Sequence, residues 1–509
     1  LGKKEEKKMN LAELPDQEIK EFGEHVSVLF QDRQWTNRQM RSASKRLANA
    51  LRSLGVGKGD RVILQMPNCP EVLQGFQAVY ILGAVVVPIN FMVGEAETAF
   101  IYRDTGAKVI ISSSGFLPKI EACRKTAPQI EHVIVTDRQA PEGTLSLQEL
   151  LAAHSDEIDV FPAADDDLAA LIYTAGTTGQ PKGVMHTHYS LYINARMQQE
   201  TLNLPPGLTS IAVLPLCHSY GIASMNYSLL VGGGKSVVLN SFDIETVFSS
   251  IERHRANIIG AVPTMYVFML LYPDPKKYDL SSMKYWISGS APLSRQTWEK
   301  FRETYGFEII EGWGLTEAGA NNSVNPLEGR KKIGSIGLPM KGTRMKVVDA
   351  ADQELPPNSE GEILISGPML MKGYWNRPEE TARVLRDGWL YTGDIGYQDE
   401  EGYFFITERK KDLIIKGGEN IAPREIEEVL HEHPKVSEAA VVGVPDEIYG
   451  ENIKAFVVLM PGQQASVEEI TAHCRERLKA FKSPKEVVFL DSLPKSLVGK
   501  ILRKELRKI

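Results

Sequence analysis

The chain is poor in cysteine. Cys69, Cys123, Cys217 and Cys474 are the only four in 509 residues, and no two share a paired spacing. That excludes a disulfide framework and a zinc site of the Cys-x-x-Cys kind, and it predicts a reducing, cytoplasmic location. Long apolar runs are also missing. The longest, residues 258–272, is broken by Pro263 and Thr264 and falls short of the ~20 residues a membrane-spanning helix needs. No secretory leader is visible. The charged start, Leu1 to Lys8, lacks an initiator Met and is expected to be a trimmed terminus. A positive charge excess is absent too: the net charge of −7 argues against a general nucleic-acid binder. There is no internal repeat and no low-complexity segment.

What is present is the composition of an ordinary globular protein, 43% apolar and 24% charged. At 509 residues the chain is too long for one core, so several domains are expected. Helical and strand patterns alternate over most of it. Asn37 to Leu54 has helical spacing and stops at Gly55. Arg61 to Leu64, Ala84 to Val87, Lys108 to Ser112 and His132 to Thr136 read as strands, with a helix from Pro70 to Leu82 between the first two. The same rhythm returns with strands at Ser210 to Leu214, Ser236 to Leu239, Asn257 to Val262 and Trp286 to Ser288, and a helix at Ile244 to His254. This predicts mainly parallel sheets covered by helices. From about Ile333 short strands with Gly and Pro turns follow one another, which predicts a small antiparallel barrel or meander over about 333–406. After the charged run Glu408 to Asp412, a helix at Pro423 to His431, strands at Glu438 to Val444 and Lys454 to Leu459, and a helix at Val467 to Leu478 predict a small α+β domain. The expected division is 1–410 and 411–509.

Four motifs carry chemistry. The strand Leu168 to Tyr173 runs into Thr174-Ala175-Gly176-Thr177-Thr178-Gly179-Gln180-Pro181-Lys182-Gly183. Glycines bring backbone N–H groups close to an anion, threonines add hydroxyl donors, and Lys182 adds a charge. This suits a polyphosphate, but the spacing is not that of a Walker A loop. Glu311-Gly312-Trp313-Gly314-Leu315-Thr316-Glu317 offers an indole to stack on a flat ring and a hard carboxylate suited to Mg²⁺. Asp394, in Thr392-Gly393-Asp394, could accept both hydroxyls of a ribose, with Arg409 further on. Lys500 follows Gly499 near the end. His186 with His188, and His431 with His433, lack a third ligand, and no metal site is expected there.

In this order the motifs resemble the adenylate-forming superfamily, from about Asn37 to Leu506, and within it the AMP-forming acyl-CoA synthetases. The resemblance implies an α/β N-terminal domain with a small β-barrel and a small mobile α+β C-terminal domain. It implies an acid–thiol ligase that uses ATP, Mg²⁺ and coenzyme A. A carboxylic acid becomes an acyl-AMP, and its acyl group then passes to CoA. The alternative is an enzyme that loads the phosphopantetheine of a carrier protein. Because the chain ends at Ile509 with no carrier domain, free CoA is the expected thiol. The acid is expected to be a medium- or long-chain fatty acid, or an aromatic or alicyclic one.

Carried over by the resemblance, Thr174, Gly176, Thr177, Thr178, Gly179 and Lys182 hold the β- and γ-phosphates. Thr174 and Glu317 are assigned to Mg²⁺, and Thr316 reaches the α-phosphate. Ser290, Ala291 and Pro292, with Glu311, Gly312, Trp313 and Gly314, enclose the adenine, and Asp394 and Arg409 bind the ribose. Lys500 bridges carboxylate and phosphate. Lys411 is the hinge about which the small domain turns, so that Lys416, Gly417, Gly418 and Asn420 replace Lys500 for thioester formation. His218, Tyr220, Gly221, Thr264, Met265, Ser288 and Gly289 are the candidates for the acyl pocket. Glu408 departs from the pattern, which has Gly before the Arg. Partners are expected to be small molecules, with no nucleic acid, no membrane span, and a monomer or homodimer as the state.

Overall fold

The computed structural model describes residues 10–174, 180–495 and 501–509. Gly176, Thr177, Thr178, Gly179 and Lys500 lie outside the described residues, as does the side chain of Asn420.

Among the described residues two large sheets carry the first 340 positions. One has eight strands. Its parallel centre is Val85–Pro88, Arg61–Gln65, Val109–Ser112 and His132–Val135. Leu168–Thr174 joins it in parallel, and Lys182–Thr187 and Gly373–Tyr374 add an antiparallel edge. The other has nine strands, with Lys235–Val238, Thr209–Ala212, Ile258–Ala261, Tyr285–Ser288 and Ile309–Trp313 parallel at its centre. These central strands are rich in Val and Ile and mostly buried, as parallel strands under helices must be.

The helices are set by local chemistry. In Asn37–Ser53 the Thr36 hydroxyl accepts from the Gln39 N–H while the Gln39 side chain accepts from the Thr36 N–H, a reciprocal cap. Ile244–His254 begins on an Asp243 cap and stops where Arg255 turns left-handed, at the bounds expected from the sequence. The helices Asn37–Ser53, Pro70–Ile81 and Ser219–Met225 supply Leu47, Leu51, Val72, Val79 and Ile222 to one continuous core.

The third sheet is antiparallel: Arg344–Val348, Gly361–Ser366, Trp389–Gln398, Leu385–Arg386 and Phe404–Arg409. It is the expected barrel-like part, built as a half-barrel. Its last strand runs on to Arg409, three residues past the expected end, because Asp394 and Arg409 are cross-strand partners. The fourth sheet is built on the long hairpin Val436–Asp446 and Gly450–Leu459. Ile414–Lys416, Glu419–Ile421 and Glu486–Phe489 flank it, and the helices Pro423–His431 and Val467–Arg477 cover it. It has its own core around Ile426, Val441, Ala455 and Ile470. Among the described residues no helix is long and apolar enough to cross a membrane.

Candidate active site

Leu168–Thr174, Tyr285–Ser288 and Ile309–Trp313 end in the loops that the sequence singled out. In open α/β sheets ligands gather at such carboxyl ends. Ser288 and Glu311 are neighbours in register on adjacent strands, so the Ser288–Pro292 turn and the Trp313 loop emerge side by side. The loop needs its glycine: a Cβ on Gly314 would stand 1.6 Å from the Ala320 carbonyl oxygen.

Thr174 and Lys182 face each other across the antiparallel pair that closes the glycine-rich loop. Lys182 forms an ion pair with Glu380, and its ammonium lies 5.1 Å from the centre of the Tyr374 ring. The Tyr374 hydroxyl donates to Glu317 Oε1 at 2.9 Å, which links the lysine to the carboxylate of the second motif. Thr316 is fixed from two sides. Its hydroxyl is 3.0 Å from that of Ser219, and its carbonyl accepts from His186 Nε2 at 2.7 Å. His186 is fully buried, and burial holds its pKa down at about 4, so it is neutral and acts as a donor at Nε2. The two His-x-His pairs form no metal cluster, and none was found among the described residues.

Asp394 is 1% exposed and gathers the remaining pieces. Arg409 Nε lies 2.7 Å from Oδ1, and the indole Nε1 of Trp313 donates to Oδ2 at 3.1 Å. The Thr392 hydroxyl accepts from the Asp394 N–H at 3.0 Å, which fixes the turn. The expected adenine and ribose elements thus touch through one hydrogen bond. Below them Glu311 is buried and accepts from the Leu293 N–H at 3.2 Å. Burial raises its pKa to about 7, against the opposing pull of Arg424.

The acyl candidates divide. A small cavity lies between the helix Ser219–Met225 and the nine-stranded sheet. Tyr220 lines it, together with Ser210, Tyr227, Gly260 and Ile287, which the sequence reading missed. Gly289 borders Tyr220, since a Cβ there would meet its ring at 3.3 Å. Met265 lies in the core instead, and Gly221 packs against the Pro215 backbone. His218 caps the helix Ser219–Met225, its Nδ1 accepting from the Tyr220 N–H at 3.3 Å.

On the small domain Gly417 and Gly418 form a left-handed turn with φ of 61° and 88°. Lys416 donates to the Phe481 carbonyl at 3.0 Å. Ile415, Ile448, Tyr449 and Phe481 are exposed around it, an apolar face beside a cation. Tyr374, Glu380 and Ser219 are site residues that the sequence reading missed. Nothing in their spacing marks them; the fold alone brings them to Lys182, Glu317 and Thr316.

Residues 15–375 match the AMP-binding enzyme family and residues 425–500 the AMP-binding enzyme C-terminal domain. The chain is 39% identical over 515 residues to a long-chain-fatty-acid–CoA ligase of Bacillus subtilis strain 168, covering 95% of this chain and 92% of that one. It is 38% identical over 464 residues to a feruloyl-CoA synthase of an Amycolatopsis species, with 91% of each covered. Its fold superposes on ATP-bound MatB from Rhodopseudomonas palustris with a TM-score of 0.92 at 31% identity, covering 99% of both chains. The chain therefore belongs to the AMP-binding enzyme family and is an AMP-forming acid–thiol ligase of the acyl-CoA synthetase type.

Proposed function

We propose that this ligase activates an acid with a largely apolar acyl body, a medium- or long-chain fatty acid or an aromatic or alicyclic acid, and delivers it to free CoA. The observation that carries this reading is the joined constellation at the strand ends: Trp313, Asp394 and Arg409 on one side, and Thr316, Glu317, Tyr374 and Lys182 on the other. The apolar wall of the nearby cavity, with Ile211, Ile258 and Ile287, supports the choice of acid. So do the names of the two relatives, which act on a fatty and an aryl acid.

In the first half-reaction a carboxylate oxygen attacks the α-phosphorus of ATP. The bond to the bridging oxygen breaks and pyrophosphate leaves. Lys182 and the glycine-rich loop hold the outgoing phosphates, Thr316 donates to the α-phosphate, and Asp394 accepts from the ribose. Preorganised donors and cations of this kind supply much of the acceleration. The residues fit Mg²⁺: Tyr374 uses one oxygen of Glu317, and one or two protein carboxylates with substrate phosphates are the usual shell. Glu317 and Thr174 would hold it, and the ion would neutralise phosphate charge. In the second half-reaction the CoA sulfur attacks the acyl carbonyl carbon, the carbon–oxygen bond to phosphate breaks, and AMP leaves. Rotation of residues 411–509 about Lys411 exchanges Lys500 for the face of Lys416 to Asn420, whose glycine turn lets a thin arm pass.

Lys500→Met tests the reading. Acid-dependent ATP–pyrophosphate exchange should fall by ~10²–10³. Thioester formation from supplied acyl-AMP and CoA should persist. Exchange at full rate in the variant would sink the assignment. AMP release driven by free CoA, rather than by a phosphopantetheinylated carrier protein, separates the two thiols. A kcat/KM series from acetate to palmitate, with benzoate, identifies the acid.

A further inference from the structure

A second cavity lies on the far side of the helix Ser219–Met225 from the acyl pocket. It holds about 730 Å³ of space free of protein atoms, bounded by the helices Leu14–Phe22, Asn37–Ser53 and Pro70–Ile81 and by the π-helical turn Asn226–Val231. Its walls are mostly apolar, with Val28, Leu73, Phe76, Ile222 and Leu229. It shares only Met225 with the lining of the acyl cavity. π-Helical turns inside helices recur at functional sites.

Besides Glu18 Oε1, which pairs with His25, four polar atoms on this lining have no hydrogen-bond partner among the described residues: Arg41 Nη1, Tyr80 Oη, Asn226 Nδ2 and Gln77 Oε1. Tyr80 is 1% exposed, Arg41 5% and Asn226 8%. A buried polar group left unpaired costs ~1–3 kcal/mol. Three of the four are donors, so the missing partner is mainly an acceptor. The charges facing the cavity are already answered. Arg41 is clasped by Asp16 through Nε, at 3.0 Å, and Nη2. Glu18 accepts from Asn37 at 2.9 Å and lies 3.3 Å from His25 Nε2. A carboxylate head would meet Glu18 with no spare cation.

We propose that this cavity is a second ligand site, separate from the acyl pocket, for a neutral amphipathic molecule: an aliphatic or alicyclic body ending in one hydroxyl or amide. The oxygen of that head, with two lone pairs, accepts from Tyr80 and from one of Arg41 and Asn226, and its hydrogen goes to Gln77. A plain alkyl tail would leave all four atoms unpaired.

Calorimetric titration of the whole protein with 1-octanol and octanamide tests the site, with octanoate as the charged counterpart. One equivalent of each neutral probe should bind, and octanoate at the same site should bind at least tenfold more weakly. Tyr80→Phe, which deletes one oxygen, should weaken octanol about two- to tenfold, the worth of one hydrogen bond. Leu73→Trp, which fills the cavity from its half-exposed rim, should abolish binding. Ser224→Phe, which fills the acyl cavity instead, should leave it intact. No binding to the parent protein, or binding lost in Ser224→Phe and kept in Leu73→Trp, would overturn the proposal.

Discussion

If Lys182 holds the triphosphate as proposed, Glu380 competes for it. It stands near the start of the helix Pro378–Val384 and pairs with the Lys182 ammonium across a short gap, while Arg377 holds its other side at 3.2 Å. The Lys182 hydrogen bond is the main reason its carboxyl lies below the usual range. The two side chains are 15% and 22% exposed, so the pair is neither a surface bridge nor a dry one. Surface pairs are worth ~0.2–1 kcal/mol and charge-assisted hydrogen bonds ~1.5–3. A value of about 1 kcal/mol follows, which is about fivefold in an equilibrium constant. On the proposed role of Lys182, ATP would have to take the lysine from Glu380. Glu380→Gln should therefore lower KM for MgATP about fivefold in pyrophosphate exchange, with kcat unchanged. The gain should shrink as salt rises, since the Debye length is ~10 Å at 0.1 M. In a Lys182→Ala background Glu380→Gln should do nothing. A raised KM would mean that Glu380 aims the lysine rather than withholding it. An equal gain without Lys182 would refute the competition outright.

Glu311 predicts a pH dependence of stability. Below about pH 4.5 folded and unfolded forms are both protonated; between there and about 7 only the folded form keeps the proton, so stability should fall with rising pH by up to about 3 kcal/mol. Glu311→Gln should flatten that part of a Tm-against-pH curve, and an unchanged slope would count against the buried acid. Lys411→Pro fixes φ at the expected hinge, so adenylate formation and thioester transfer, assayed separately, should change by unequal factors; equal loss would refute the hinge.

The sequence revealed those parts of the site whose chemistry is local. Asp394 and Arg409 were legible because a glycine turn and a nearby cation carry their own meaning. That they sit opposite each other follows from strand register. The Trp313–Asp394 bond joins residues 81 positions apart, and no spacing rule announces it. Tyr374 and Glu380 were invisible for the same reason: Gly373–Tyr374 reaches Lys182 only by adding an edge strand to Lys182–Thr187. Among the acyl candidates orientation decides which reach the cavity. Tyr220 and Met265 both follow strand ends and both belong to one core cluster, yet only Tyr220 lines the cavity. Ile244–His254, which starts on the Asp243 cap, and Pro423–His431, which starts on a proline, were placed to the residue, because their start signals are single residues.

Glu408 shows what a departure from a family pattern can do. A glycine there would offer no side chain, and the structure uses the carboxylate fully. Its oxygens accept from the Arg409 N–H at 2.8 Å and from the Arg424 N–H at 3.0 Å, and Arg503 stands 3.9 Å away. Arg424 and Arg503 belong to the small C-terminal unit, Glu408 to the last strand before it, so one buried carboxylate ties the two together. Arg503 also holds Glu427 and Asp412, and survives the loss of Glu408 as an ion pair. The two N–H groups have no such substitute, and unpaired donors cost ~1–3 kcal/mol each. In Glu408→Gly the link should open at least fivefold more often, read as faster limited tryptic cleavage at Arg409, Lys410 and Lys411. Glu408→Gln keeps one accepting oxygen and should fall between. Cleavage at the parent rate in the glycine variant would mean that the carboxylate fills space at the hinge without restraining it.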